Sequence, residues 1–273
     1  MFLKPMRLPV FIIFCVTILF TSCGQYQKVL RKDDLGKKYT FADSLYQIGK
    51  YKKALKLMEQ LVPVYRGKPQ GEKLMYIYAD TYFQIGDYFS SGYQFERFAQ
   101  AYPQSDSTEV AFFKSARSFY ELSERYSLDQ RETYRGLGKL QDFINTYPNS
   151  EKREEANTLV IELRTKLEKK EFEVAKQYYH IEAYKAAIEA FDNFITDNPG
   201  TVFREEAFLF KTKAAYKLAI NSIPSLVEER LLAAKRYYNN YQKYYKQGSL
   251  AEEANEISQE IDKRLAIIES KPI

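Results

Sequence analysis

The chain has 273 residues, and its 41 Lys and Arg exceed its 36 Asp and Glu by only five. Such a mild excess argues against nucleic-acid binding, which depends on a strong concentration of positive charge. Gly and Pro are sparse at 11 and 9 residues, Trp is absent, and 24 Tyr and 19 Phe supply many rings. This composition favours helices whose interfaces are built from aromatic side chains.

Residues 1–22 are predicted to be an export signal. Lys4 and Arg7 provide a positive start, and residues 8–19 form an almost wholly apolar core. The core has about 12 residues, which suits a signal peptide and is too short for the roughly 20 residues of a membrane-spanning helix. The segment ends in Phe-Thr-Ser before Cys23. This ending resembles the lipobox of bacterial lipoproteins, where the cysteine is acylated and the signal is cleaved before it. An ordinary signal peptide with an incidental cysteine is the alternative.

The cysteine count supports acylation. Of the two cysteines, Cys15 lies inside the predicted signal, so cleavage leaves Cys23 alone and no intrachain disulfide can form. An odd cysteine in an exported protein calls for an explanation, which a lipid anchor provides. The residues after Cys23 include neither an early aspartate nor an acidic run, which by resemblance favours the outer membrane and the periplasmic side. Residues 23–37 are then expected to be the acylated cysteine and a linker, which would reach roughly 45 Å if extended.

A nine-residue pattern recurs five times along the mature chain. Each copy has a large apolar residue, a second one three positions later, and Tyr or Asn at the eighth position; the copies are 58–66, 95–103, 140–148, 191–199 and 238–246. Three copies end in proline, which stops a helix. The apolar spacing places the large residues on one helical face, so each copy is predicted to be a helix.

A second helical segment precedes each copy, with a small residue at its packing centre. The centres of these A helices are Ala42, Ala79, Ala116, Ala175 and Thr212. Small residues also mark the close contact in each following B helix: Ala54, Ser91, Gly136, Ala187 and Ala234. Helix A, turn and helix B form the tetratricopeptide pattern. The sequence therefore predicts an all-α superhelical solenoid of five helix pairs.

The predicted repeats cover residues 38–273 and are longer than the usual tetratricopeptide unit. Their bounds are about 38–66, 72–103, 109–148, 150–199 and 203–246, with a C-terminal helix to about residue 268. Long A helices best explain the extra length of the repeats, because residues 150–181 contain neither Gly nor Pro. That stretch is predicted to hold one very long helix or two abutting ones.

The order of these features resembles a known family. A lipobox precedes five such repeats, the third repeat has an enlarged turn at residues 127–130, and it continues into residues 143–150 and 167–179. This order is similar to that of the BamD family of outer-membrane assembly lipoproteins over essentially the whole mature chain. One departure is Lys246, which stands where three other repeats have proline.

The resemblance implies a non-catalytic scaffold. Its partners would be the periplasmic domains of BamA, other subunits of the assembly complex and unfolded outer-membrane proteins. The alternative is a periplasmic repeat lipoprotein that acts as an adaptor for cell-wall or envelope-maintenance complexes. Proteins of that kind usually begin with a trimerising coiled coil, for which residues 24–38 are too short.

The sequence shows no catalytic constellation. His180 is the single histidine and is expected to be a solvated turn residue. Because there is no second imidazole, and no pair of cysteines after cleavage, the sequence offers no zinc site. No phosphate-binding glycine loop, nucleophile elbow or zinc-protease motif occurs. The chain is predicted not to be an enzyme and to need no cofactor, metal or nucleic acid.

An aromatic stripe runs along the predicted A helices. Counting three residues back and four forward from each centre gives nine aromatic residues in ten positions, and a charged residue follows each centre. This face is either a binding groove or core packed against helix B. As a groove it would be acidic in the first two repeats and basic in the last three. The candidate groove residues are Tyr39, Asp43, Tyr46, Tyr76, Asp80, Phe83, Phe113, Arg117, Tyr120, Phe172, Lys176, Tyr179, Lys213 and Tyr216, and Leu209 completes the stripe.

Overall fold

The computed structural model describes residues 24–270. The predicted export signal and the predicted acylation of Cys23 lie outside these residues. Beyond a short helix at residues 24–31, the helices are α1 Leu35–Gln47, α2 Tyr51–Tyr65, α3 Pro69–Gln84, α4 Tyr88–Ala101, α5 Thr108–Glu121, α6 Arg131–Thr146, α7 Arg153–His180, α8 Tyr184–Asp197, α9 Arg204–Ile220, α10 Pro224–Tyr245 and α11 Ala251–Glu269.

The predicted fold class is confirmed. Residues 24–270 contain no strand, and the helices from α1 to α10 form five consecutive pairs of tetratricopeptide type, which α11 follows. The small residues at the predicted close contacts are all buried: Ala42, Ala54, Ala79, Ser91, Ala116, Gly136, Ala175, Ala187, Thr212 and Ala234. Their short side chains let neighbouring helices approach closely.

The turns between paired helices share one backbone geometry. The N–H groups of Lys50, Asp87 and Ala183 each donate to the carbonyl oxygen five residues earlier, at 2.8 to 3.0 Å. This bond closes a helix end when the residue before the donor adopts a left-handed conformation. Gly86 adopts it with φ 82°, and Glu182 adopts it with φ 62° although it carries a side chain. The fourth repeat therefore makes the same turn without glycine.

The described chain divides into two compact units. Unit 1 comprises Met1–Ser123 and Glu132–Leu159, and unit 2 comprises Glu124–Arg131 and Val160–Ile273. The helix α7 contributes to both, because it is one continuous helix of 28 residues rather than two abutting helices. Within residues 24–270, no helix has the length and apolar content needed to cross a membrane.

Unit 1 includes the segment expected to be an extended linker. Residues 24–31 are instead helical, and Tyr26 is 7% exposed in a core with Ala42, Ala54 and Leu57. The hydroxyl of Tyr26 donates to the carbonyl oxygen of Lys53 at 3.3 Å, and its ring lies 6.5 Å from that of Phe41. These residues are therefore not an extended tether, because burying the Tyr26 ring holds them against the first repeat.

Unit 2 is closed at its end by a hydrogen-bonded carboxylate. Glu205, near the start of α9, accepts bonds from the Tyr241 hydroxyl at 2.7 Å, the Leu250 N–H at 2.8 Å and the Ser249 hydroxyl at 3.0 Å. Leu250 directly precedes α11, so these bonds fix the entry of the last helix. A Cβ at Gly248 would lie 2.2 Å from the Glu205 Oε1 atom, so glycine here leaves room for the carboxylate to keep these bonds.

Candidate protein-binding surface

The aromatic residues three positions before each A-helix centre belong to the core. Each packs on the B helix of its own repeat, and the closest ring pairs are Tyr39 with Tyr65 at 5.4 Å, Tyr76 with Phe98 at 5.5 Å, Phe113 with Phe143 at 5.2 Å and Phe172 with Phe194 at 5.7 Å. Phe113 and Phe172 are 3% and 1% exposed, and Leu209 is equally buried. Phe113 and Phe172 therefore cannot line a groove, since helix B covers them.

The aromatic residues four positions after each centre are half-buried. Three of them pack edge-to-face on the first residue of the following B helix: Tyr46 on Tyr51, Phe83 on Tyr88 and Tyr179 on Tyr184, with ring centroids 5.2 to 5.8 Å apart. Tyr120 and Tyr216 are half-buried as well, and Tyr216 accepts a hydrogen bond from Arg264 Nε at 3.0 Å. These half-buried rings pack at the turns between helices A and B and remain partly exposed to solvent.

The charged residues after each centre form a ladder of ion pairs. Each one binds an opposite charge on the next odd-numbered helix, whichever sign it carries itself. The pairs are Asp43 with Lys73 at 2.8 Å, Asp80 with Lys114, Arg117 with Glu155, Lys176 with Glu206 at 3.1 Å and Lys213 with Glu253 at 2.5 Å. Because every rung is neutralised, the predicted change from an acidic to a basic groove has no basis in these side chains.

Asp80 is the most buried member of this ladder. Its side chain is 4% exposed, and besides Lys114 it accepts a bond from the Tyr46 hydroxyl at 2.7 Å and one from Gln84 Nε2 at 3.3 Å. Burial and this bond to Asp80 raise the pKa of Tyr46 well above its ordinary value. The Lys114 ammonium also lies over the Tyr76 ring at 5.4 Å. Asp80 therefore holds three successive A helices together and is not a groove residue.

Unit 1 contains a cavity that the sequence did not predict. It has a volume of about 340 Å³ and opens between α4, α5 and α6. Its walls are mostly apolar, and Lys139 pairs with Glu96 within its lining at 2.6 Å. The other lining residues are Ala99, Gln100, Pro103, Thr108, Phe112, Ser115, Ala116 and Tyr147. The lining comes from three helices at unrelated spacings, so no sequence pattern could have predicted it.

His180 lies at the end of α7 and is exposed. Its ring contacts those of Tyr179 at 5.7 Å and Phe210 at 6.5 Å. Among residues 24–270, no group of three or more His, Cys, Asp and Glu side chains is arranged to hold a metal ion.

Residues 32–231 match the model of the YfiO family, described as an outer membrane lipoprotein. The chain belongs to this family. The match runs from the residues before α1 into the first part of α10. Most of α10 and all of α11 lie beyond it. No curated protein matches the chain.

Three solved structures are similar to the chain at low sequence identity. The tetratricopeptide domain of P58(IPK) is 13% identical with a TM-score of 0.40, and the match covers 85% of this chain and 66% of that one. The TPR2AB domain of yeast Sti1, solved in a complex with pHSP90, is 10% identical with a TM-score of 0.38, and the match covers 84% of this chain and 98% of that one. A putative kinesin light chain of Podospora anserina is 14% identical with a TM-score of 0.32 and coverages of 84% and 95%.

Proposed function

We propose that the protein is a non-catalytic scaffold of the outer-membrane β-barrel assembly machinery. Acyl chains on Cys23 would anchor it to the outer membrane, facing the periplasm. It would bind the periplasmic domains of BamA, other subunits of the complex and unfolded outer-membrane proteins. The family match over residues 32–231 carries the proposal. Five helix pairs support it, since stacked pairs present extended surfaces that bind other proteins.

The cavity between α4, α5 and α6 is our candidate for the capture of unfolded segments. Phe112 and Tyr147 meet there with ring centroids 5.7 Å apart, which gives a bulky apolar side chain an aromatic wall to pack against. The paired side chains of Lys139 and Glu96 can form hydrogen bonds with the peptide backbone on either side of the captured residue. An aromatic-rich extended segment of a barrel protein fits this combination. The half-buried side chains of Tyr46 and Phe83 would add contacts.

Affinity purification from solubilised envelopes tests the proposal as a whole. The full chain is expected to retain BamA, whereas a different outer-membrane lipoprotein, prepared in the same way, should not. Recovery of cell-wall or envelope-maintenance proteins without BamA would contradict the proposal and favour an adaptor of that kind.

Filling the cavity tests the assigned capture site. Ala99→Leu should weaken binding of a barrel-derived peptide by about tenfold, because the added carbons occupy the space that the peptide side chain needs. Ala101→Leu on the same helix is the matched control, since Ala101 is exposed and does not line this cavity. Equal peptide binding by both folded variants would remove the cavity from the proposal.

A further inference from the structure

The positive charge of the mature chain is concentrated in its first part. Residues 24–68 contain 11 Lys and Arg against 4 Asp and Glu, whereas residues 69–273 contain 28 against 32. The first part therefore has a net charge of +7 and the rest −4. Salt screens exposed charges over about 8 Å at physiological ionic strength. The excess positive charge of the first part therefore attracts only a partner that lies directly against it.

The helix at residues 24–31 fixes where this charge lies relative to the chain start. Tyr26 is buried against the first repeat, where its hydroxyl bonds the Lys53 carbonyl oxygen. Tyr26 is three positions after Cys23, and a chain extends by at most about 3.6 Å per residue. Acyl chains on Cys23 would thus hold Tyr26, and the part of the first repeat that it packs against, within roughly 11 Å of the lipid surface.

Two separate recesses in the N-terminal part of unit 1 are lined by lysines, one beside the start of α1 and one beside the turn that follows α1. A cavity of about 130 Å³ is bordered by Lys28, Lys32 and Lys37, together with Gln25, Val29 and Asp34. Asp34 pairs with Lys37 at 3.2 Å, and no carboxylate of residues 24–270 forms an ion pair with Lys28 or Lys32. A wider recess of about 530 Å³ is bordered by Lys50, Lys52 and Lys53. These six lysines are exposed, and we call them the basic face.

We propose that the basic face binds the phosphate groups of anionic phospholipids in the bilayer that holds the protein. The proposal rests on the proposed acylation of Cys23, which brings the face to the lipid. Lysine ammonium groups on long stems bind phosphate as mobile point charges, and each one near an anionic surface adds to membrane affinity. A shallow surface of this kind fits a layer of headgroups better than one acidic peptide, which would need a deeper and more specific site.

Vesicle binding by the whole mature chain with Cys23→Ala tests the face without the anchor. The protein should sediment with vesicles of about one part phosphatidylglycerol to two parts phosphatidylcholine, and not with phosphatidylcholine alone. Binding should fall steeply between about 0.1 M and 1 M salt, because the added ions shorten the screening length from roughly 10 Å to 3 Å. Replacing Lys28, Lys32 and Lys52 by Gln should weaken binding at least tenfold.

A matched variant separates a local face from overall charge. Lys185→Gln, Arg236→Gln and Lys246→Gln remove the same charge from exposed positions in unit 2, and this variant should bind almost as well as the parent. Circular dichroism checks that both variants fold. Equal losses in the two variants, or no preference for phosphatidylglycerol, would overturn the proposal.

The anchor is tested separately by fractionating cells that produce the acylated chain. Membrane association that disappears in Cys23→Ala supports acylation, whatever the vesicles show. Membrane association that persists without Cys23, and is lost in the triple lysine variant, would mean that the basic face holds the protein alone, and the anchor would then be wrong.

Discussion

Each unit contains a carboxylate that accepts a hydrogen bond from a distant tyrosine, but the two carboxylates are satisfied in different ways. Asp80 in unit 1 and Glu205 in unit 2 each receive a tyrosine hydroxyl at 2.7 Å. Asp80 is also paired with the Lys114 ammonium, whereas the other donors to Glu205 are the neutral groups of Ser249 and Leu250. Unit 1 thus places a charge pair among successive A helices, and unit 2 uses a carboxylate to fix the start of its last helix.

Removing Asp80 should have the largest effect. Asp80→Ala leaves the Lys114 ammonium and the Tyr46 hydroxyl without their partner, and we expect it to lower the free energy of unfolding by about 2–4 kcal/mol, since Lys114 can still reach water. Urea titration of the variant measures this. Asp43→Ala, which breaks a more exposed pair of the same ladder, is the control and should cost about 1 kcal/mol or less. A similar cost at both positions would show that burial does not distinguish the two pairs.

Gly248→Ala should disturb the Glu205 site without changing any charge. The new methyl group would meet the Glu205 carboxylate, so the carboxylate must turn away and lose hydrogen bonds to Leu250 or Ser249. We expect a loss of about 1–2 kcal/mol in unfolding free energy and faster amide exchange at the start of α11. Gly138→Ala, at a helical glycine with open space around it, should not destabilise the protein. Unchanged exchange in α11 would contradict the role given to Glu205.

The two tyrosines allow a matched comparison of the two sites. Tyr46→Phe and Tyr241→Phe each remove one hydroxyl donor and leave the ring in place, so each should cost about 1 kcal/mol by thermal unfolding. Their carboxylates keep other partners, namely Lys114 and Gln84 for Asp80 and Ser249 and Leu250 for Glu205. A cost near zero at one site alone would show that its other partners already satisfy the carboxylate.

The smallest expected effect is on pH dependence in unit 2. Burial raises the pKa of Glu205, but hydrogen bonds from Leu250, Tyr241 and Ser249 outweigh it and hold the pKa below its usual value. A lowered pKa means that this carboxylate stabilises the fold above its unfolded pKa of about 4.3 and loses that contribution as the pH falls through the folded pKa. The difference in Tm between the parent and Glu205→Gln should therefore shrink below about pH 4. A difference that is constant with pH would contradict this.

The sequence predicted the parts of the fold that repeat. Small residues at fixed spacing identified the A and B helices, and Ala42, Ala79 and Ala187 are fully buried as that interpretation requires. The short helix around Tyr26 is not predicted by the sequence, because eight residues before the first repeat offer too few positions for a periodic pattern. Its position depends on burying one ring against side chains that follow much later in the chain.

The candidate groove could be predicted only in part, for a physical reason. Which residues share the A-helix face follows from helical periodicity, but what that face contacts depends on the next helix. The partners of Asp43 and Arg117 lie 30 and 38 residues further on, at positions set by crossings that no single-sequence spacing reports. The sequence pattern alone therefore does not distinguish core positions from groove positions, because the difference depends on the neighbouring helices.

The third repeat has a unique part in the ion-pair ladder, because it is the one with a basic residue on both sides: Lys114 pairs back with Asp80 and Arg117 pairs forward with Glu155. The residue that pairs with the next odd-numbered helix is acidic on α1 and α3 and basic on α5, α7 and α9. The residue that pairs with the previous one is basic on α3 and α5 and acidic on α7, α9 and α11. Deleting the third repeat would bring the carboxylate of Asp80 towards Glu155, so like charges would oppose each other. Deleting the second, fourth or fifth repeat would instead leave opposite charges facing each other. The five pairs are alike in shape, but the signs of a few side chains make the third one irreplaceable between the repeats on either side of it.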